Sequence, residues 1–477
     1  MARWIRLLAA ACALARPAVV RADGGDYTEI ASSFDEDDPF DLHVSIDYAY
    51  SSYRAGIKRE IAGVVDPNLV DRTALGKDLV YEGTRHTITP RLTVGLAPDV
   101  ELSLALPVVL RDAYTLSFDR TAGSCVLPPA PGATCVNALN STTVQDGLLP
   151  PTGFDADDPG GPGFTDPDDP TIFRGTPRKG LDQLHVGLAW APMNQRRDDT
   201  KPTWKIGAQL RLAVGDTAEF DPERPSRSTG VGRGLHEVRL WTSVAKRAGW
   251  AEPFVELWWQ APIGKTDDSH FVELGFGEER AAAQQLAGVR FGFEGVTWEH
   301  AADSQRIGLE LSMLAEAHFE GRDYTPMWEV FQLAGDPDRA PDGSAGPGPL
   351  ALDGDPATPG LQGVRHPGVT NVENYMRFAG RIRINAQLGE RVRFSVGAQI
   401  VHDTSHLITF ADAGRDLPQC AAGQTSGCEP DNDDTVDPDQ PEEVNPYHVP
   451  LIDQAGHRYK QDDTFDYQVL VRGMVLF

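Results

Sequence analysis

The chain has 477 residues, 43 basic against 70 acidic, for a formal net charge of −27. That balance argues against nucleic-acid binding, which needs basic surface, and against simple adhesion to an anionic membrane face. No apolar run is long enough for a transmembrane helix, so a membrane protein of this sequence must cross as a closed barrel, whose backbone groups all find partners.

Residues 1–22 have a secretory pattern: Arg3 and Arg6, an apolar run from Leu7 to Leu14, and the small-residue site Val20-Arg21-Ala22. Cleavage there leaves 39 basic residues against 70 acidic ones, a net charge of −31. Residues 23–39 are acidic and without periodicity, which predicts a short disordered leader. Residues 40–477 are expected to form a single domain.

Alternation of apolar and other residues marks strands, because successive side chains point to opposite faces. The first strand carries Phe40, Leu42, Val44, Ile46, Tyr48 and Tyr50 on one parity. A loop over 62–78 follows. The second strand carries His86, Ile88, Pro90, Leu92, Val94 and Leu96, and Ala97-Pro98-Asp99 turns it into a third with an unbroken row of Leu102, Leu104, Leu106, Val108 and Leu110. A loop is expected over 115–178. Strands four to eight centre on Leu184–Trp190, Trp204–Val214, Val238–Val244, Val255–Trp259 and Val289–Phe293. The ninth carries Ile307 to Phe319 and is followed by an Asp/Pro/Gly-rich loop over 324–370. The tenth and eleventh meet at Gly389-Glu390, and the last, Thr464 to Phe477, alternates Phe465, Tyr467, Val469, Val471, Gly473, Val475 and Phe477 with a more polar set.

Twelve strands result, joined by connections that alternate long and short. Membrane barrels sort their connections in this way, and a soluble sandwich has no reason to. The final strand, stopping on Phe477, resembles the last strand of bacterial outer-membrane barrels, where a terminal Phe belongs to the insertion signal. Trp190, Trp204, Trp250 and Trp298 lie near predicted short turns, where aromatic residues meet the membrane–water boundary. The fold expected is therefore all-β: a transmembrane antiparallel up-and-down β-barrel of about 12 strands, with long acidic outer loops and short periplasmic turns.

The parity opposite the apolar rows gives the lumen. It carries Arg377, Arg381 and Arg383 on the tenth strand, Arg393 on the eleventh, Arg472 on the last, and Glu310, Glu316 and His318 on the ninth. Charges there need water or partners. One reading is a polar pore with basic and acidic sectors. The other is cross-strand ion pairing that braces the wall, and it suits most of these residues better. Cys125 with Cys135, and Cys420 with Cys428, are close pairs in loops of an exported chain and read as two local disulfides. The cluster Asp431, Asp433, Asp434, Asp437 and Asp439 could attract Ca2+, but it lacks the glycine of a calcium loop and reads as solvated. No other cofactor is expected. His402, Ser405 and His406 are nucleophile-type residues, yet on a strand the two histidines would lie about 13 Å apart and Ser405 faces away, so no enzyme is expected.

From Gly180 to Pro262 the runs G-L-D-Q-L-H-V-G-L-A-W, K-P-T-W-K-I-G-A-Q-L-R-L-A-V-G-D and S-T-G-V-G-R-G-L-H-E-V-R-L are similar to an outer-membrane transporter family linked to phenol-degradation pathways. The resemblance implies a β-barrel in the outer membrane of a Gram-negative bacterium and passage of small organic molecules. The expected function is a passive channel or small-molecule transporter, with outer-membrane lipid and the barrel-insertion machinery as partners. Two alternatives stay open: a structural or surface-interaction barrel with a closed lumen, and a secreted soluble β-sandwich that binds ligands.

Overall fold

The computed structural model describes residues 27–34, 41–61, 74–120, 135–166, 168–275, 277–278, 282–417, 436–437 and 440–477. Twelve long strands form its wall. They are β1 (Leu42–Ile61), β2 (Ala74–Ala97), β3 (Val100–Ala105 and Val108–Phe118), β4 (Arg178–Leu181 and Gln183–Met193), β5 (Thr203–Ala213) and β6 (Leu235–Ala245). The other six are β7 (Ala251–Lys265), β8 (Leu286–His300), β9 (Gln305–His318), β10 (Tyr375–Leu388), β11 (Val392–Asp403) and β12 (Tyr459–Leu476). Each pairs antiparallel with the next in sequence. β12 then pairs with β1 and closes the sheet. At the seam the Leu42 amide donates to the Phe477 carbonyl at 3.1 Å and the Phe477 amide donates back to Leu42 at 2.9 Å.

The two faces of this wall differ in chemistry. Ile46, Leu188, Leu257, Met313, Ile382, Ile384 and Ile400 are among the large apolar side chains exposed on the outside. Residues one position away along the same strands, such as Glu310, Ser312, Arg383 and Gln399, are buried inside. A soluble barrel would place its apolar residues the other way round. Exposed Trp190, Trp250 and Trp298 sit beside the short turns, where one rim of an apolar belt would meet water. The architecture is that of a transmembrane β-barrel.

Three features depart from the sequence reading. The ladder of the third strand is interrupted at Leu106-Pro107, where Pro107 has no amide to give it, although Leu102, Leu104, Leu106 and Val108 keep the same face. Farther along, a bulge puts Leu110 opposite no residue of β2. Next, β1, β2 and β12 run to 20, 24 and 18 residues, well past the roughly 9–11 that a tilted strand needs to cross a membrane. The loop expected over 62–78 is correspondingly shorter, since β2 already begins at Ala74.

The third departure is at the long-loop end, where the connections fold inward over the barrel. The stretch 324–370, read as an irregular loop, contains the helix Trp328–Ala334, every residue of which is buried. Met327, Val330, Phe331 and Leu333 join Leu148, Leu149, Phe173, Phe220, Leu350, Ile452 and Tyr459 in one apolar cluster. Each such side chain withdrawn from water contributes about 1.5–3 kcal/mol. Two buried polar groups tie this cap to the wall. Asp78 of β2 accepts from the hydroxyls of Ser141, Thr142 and Thr143 and from the Thr143 amide. Arg59 of β1 donates to the carbonyls of Thr142, Leu451 and His457 and pairs with Asp146 at 2.6 Å.

The facing of adjacent residues gives a direct test. Leu104 stands opposite Leu92 and Val186 on the outward face, while Ser103 points inward. Leu104→Arg should lower the heat-modifiable, membrane-inserted fraction, a guanidinium at mid-wall costing about 2–4 kcal/mol. Ser103→Asp, on the face that carries Arg91, should insert like the wild type, as electrophoresis of unheated samples would show.

Candidate functional site: the barrel lumen

The residues named from parity all point inward, and the structure gives each a partner. Glu310 of β9 is fully buried and accepts from Arg381 at 2.6 Å and from Arg383 Nε at 2.8 Å, with Ser312 donating at 3.1 Å. The strand register produces this fork, since Glu310 faces Arg383 and Ser312 faces Arg381 across β9 and β10. Arg377 stands opposite Glu316 in that register but turns the other way, to Asp403 of β11, at 2.7 Å. Glu316 takes His318 at 3.0 Å and the Trp258 indole at 3.3 Å instead. Arg472 pairs with Asp47 across the β1–β12 seam, and Arg393 pairs with Glu29. The bracing reading therefore describes Glu310 with Arg381 and Arg383, while Arg377 and Arg393 use partners that parity did not single out.

Glu29 lies in the stretch read as a disordered leader. Residues 27–33 are instead held inside the short-turn end of the lumen. Thr28 donates to Glu252 at 2.9 Å, the Ala31 amide to Glu101 at 2.9 Å, Lys205 to the Glu29 carbonyl at 2.8 Å and Ser33 to the Gly95 carbonyl at 2.7 Å. Tyr27 stacks on Phe254 with ring centroids 3.6 Å apart, and its hydroxyl accepts from Arg381 at 3.0 Å. Ile30 and Ala31 are completely buried. Sequence reasoning missed this plug because Thr28, Glu29 and Ser33 look like solvated linker. Their partners come from β2, β3, β5, β7 and β11, which no local pattern brings together. Beside it, a cavity of about 30 Å³ lined by Glu294, Arg306, Asn385, Arg393 and Arg472 has room for a water or two.

Above the Glu310 fork, Tyr375 is stacked between His318 and His406, at 4.1 and 3.9 Å. Tyr53, Tyr81, Tyr114 and Phe173 then form a continuous run of ring contacts into the cap. There Arg178 donates to Glu329 of the cap helix at 2.5 Å and covers the Trp328 ring at 4.5 Å. Burial raises the pKa of Glu329, and the Arg178 charge works against that rise. His366, also in the cap, is driven down to about 3 by burial and by the charge of Arg322, and its Nδ1 accepts from the Gly368 amide. Burial carries Asp453 the other way, up to about 7, although it accepts from the Val449 and Ala411 amides.

The remaining sequence candidates separate. His402 Nδ1 lies 2.9 Å from the Thr464 carbonyl, and His406 Nδ1 lies 2.8 Å from the Thr404 carbonyl. Cys135 is disulfide-bonded, while Cys125, Cys420 and Cys428 lie outside the described residues. So do Asp431, Asp433, Asp434 and Asp439 of the acidic cluster, whereas Asp437 is described. Among the described residues, no group of three His, Cys, Asp or Glu side chains could hold a metal ion.

No known protein family matches the chain, and no curated protein does. Solved structures similar to it include an outer membrane channel from Pseudomonas putida F1, 9% identical, with 96% of this chain and 100% of that one covered and a TM-score of 0.39. A FadL homologue from Pseudomonas aeruginosa is 6% identical, with 91% and 90% covered and a TM-score of 0.30. The outer membrane protease OmpT from Escherichia coli is 7% identical, with 94% and 100% covered and a TM-score of 0.27.

The Glu310 fork sets an expectation for stability. Glu310→Ala leaves two buried guanidinium groups without their carboxylate, a loss of about 3–5 kcal/mol. Urea unfolding of the protein in lipid vesicles should show a much lower midpoint for Glu310→Ala than for Ser312→Ala, which removes one neutral hydroxyl from the same cluster.

Proposed function

We propose that this protein is a channel for small solutes in the outer membrane of a Gram-negative bacterium. In this reading the short turns face the periplasm and the capped loops face outward. One observation carries it: a closed wall is apolar outside and densely charged inside, with its two mouths filled by the chain's own segments. A wall needed only for anchoring could fill its interior with apolar side chains at lower desolvation cost. Charges held in pairs on the inner face can rearrange around water and a passing solute. The plug is fixed mainly by polar contacts, which water can replace.

The resemblance noted between Gly180 and Pro262 narrows the solute to small organic molecules. The ring run Tyr53–Tyr81–Tyr114–Phe173 supports that narrower reading, since it offers aromatic contact along the outer half of the path. Insertion of such a barrel would engage the barrel-insertion machinery. A second reading, a structural or surface barrel, is favoured by the cap itself, in which Met327, Phe331, Leu350 and Phe173 are withdrawn from solvent.

Planar bilayers separate the two. Wild-type protein should give small or rare current steps. The double variant Tyr27→Ala/Glu29→Ala, which removes the Phe254 stack and the Arg393 pair, should give larger or more frequent steps. Silence from both proteins, with insertion verified, would favour the structural barrel.

A further inference from the structure

The outer wall carries a second, separate feature at the level of the bulge in β3. Between the register pairs Val109–Gly180 and Asp112–Arg178, Leu110 and Arg111 on β3 face Lys179 on β4. Asp112 and Arg178 point inward. Arg111 and Lys179 are therefore left on the outside, and both are exposed. The bulge makes this possible, because it lets Leu110, half-exposed, and Arg111 follow one another on the same face. Neither cation has an ion-pair partner among the described residues.

Their neighbours across β2 and β1 are also outward. Arg111 stands opposite His86, and His86 stands opposite Tyr50. The Tyr48 hydroxyl lies 2.8 Å from His86 Nδ1, and the Tyr50 ring is 5.0 Å from the imidazole. Glu82, an outward acid farther along β2, is matched by Arg54 at 3.5 Å. Two cations without an ion-pair partner among the described residues, an imidazole and two phenols thus sit together on the outer face.

Depth fixes what this cluster meets. Lys179 lies eleven residues along β4 from Trp190, and Arg111 thirteen along β3 from the turn at Pro98, one of them the extra residue of the bulge. At about 3.3 Å per residue and a strand tilt of about 40°, that is about 28–30 Å, just past the roughly 25 Å height of an outer-membrane apolar belt. Below the cluster run the hydrocarbon-facing Leu102, Leu104, Leu106 and Val108. The group that meets Arg111 and Lys179 must therefore carry acyl chains down that row and a negative charge at its head.

We propose that Arg111 and Lys179, with His86 and the Tyr48–Tyr50 rim, bind the phosphate of a phosphorylated glycolipid in the outer leaflet. The guanidinium and ammonium supply charge-assisted hydrogen bonds to phosphate oxygens. The phenols present polar tips at the boundary while their rings stay in the apolar layer. This assignment rests on the orientation given above, with the long loops outward.

The test uses the full mature chain in nanodiscs of phosphatidylcholine containing a small fraction of diphosphorylated lipid A, or phosphatidylglycerol at equal charge. Retained lipid is read by native mass spectrometry. Wild-type protein should keep lipid A in preference to phosphatidylglycerol. Arg111→Gln/Lys179→Gln should lower lipid A retention about tenfold or more, two charge-assisted contacts being lost. Arg54→Gln, in the neighbouring matched pair, should change it little. Equal retention by wild type and the double variant, or no preference for lipid A over phosphatidylglycerol, would overturn the proposal. Heat-modifiability and surface accessibility of the long loops are measured on the same samples. A protein that fails those fails the barrel reading, whereas one that passes them without lipid preference fails only the site.

Discussion

Everything in this molecule depends on the pairing of its last strand with its first. A sheet edge in hydrocarbon would leave a row of amides and carbonyls without partners, each costing several kcal/mol. The reciprocal bonds between Leu42 and Phe477 begin a ladder that runs to Arg59 and Tyr459. Once it is closed, side-chain alternation assigns the strand residues outside the bulges to lipid or lumen. The inward charges can then find one another, because the register brings Glu310 to Arg383 and Asp47 to Arg472.

The two ends of the lumen are filled by different physics. The outer end is covered by an apolar core built from several loops, with a buried helix at its centre and Asp78 and Arg59 as polar ties. Removing it from its place would expose many large side chains to water. The inner end holds a short segment through individual hydrogen bonds and one ion pair, with a single ring stack. Contacts of that kind contribute about 0.5–3 kcal/mol each and exchange readily with water. The plug is thus the weaker closure, and the Tyr27 contact to Arg381 links it to the Glu310 fork in the middle of the wall.

The wall was legible in the sequence because a two-residue period repeats along every strand, and because the lengths of the connections alternate. The inward facing of Arg381, Arg383, Arg393 and Arg472 followed from the same period. Partner choice did not. Arg377 turns to Asp403 rather than Glu316, since parity places both acids on the inner face and only three-dimensional packing selects between them. The helix Trp328–Ala334 was hidden by its seven-residue length and by the Asp/Pro/Gly-rich sequence around it. The plug was hidden because its acidic, aperiodic composition is the composition of a linker; its order comes from a barrel interior that already holds Arg393, Lys205 and Arg381. The bulge at Leu110 escaped notice because Leu110 continues the apolar row, so the extra residue leaves the pattern unchanged until Arg111.

The closure of β12 on β1 can be measured at the seam. Ala49 and Leu470 face each other in that ladder. They fall in a non-hydrogen-bonded position, where Cα atoms lie about 4.5 Å apart, within disulfide reach. Oxidation of membrane-inserted Ala49→Cys/Leu470→Cys should yield an intrachain cross-link that peptide mapping assigns to those two positions. The slipped pair Ala49→Cys/Gln468→Cys, about 7–8 Å apart on the diagonal, should stay reduced. A cross-link of equal yield in the slipped pair, or none in either, would contradict the closed barrel and the facing of every residue derived from it.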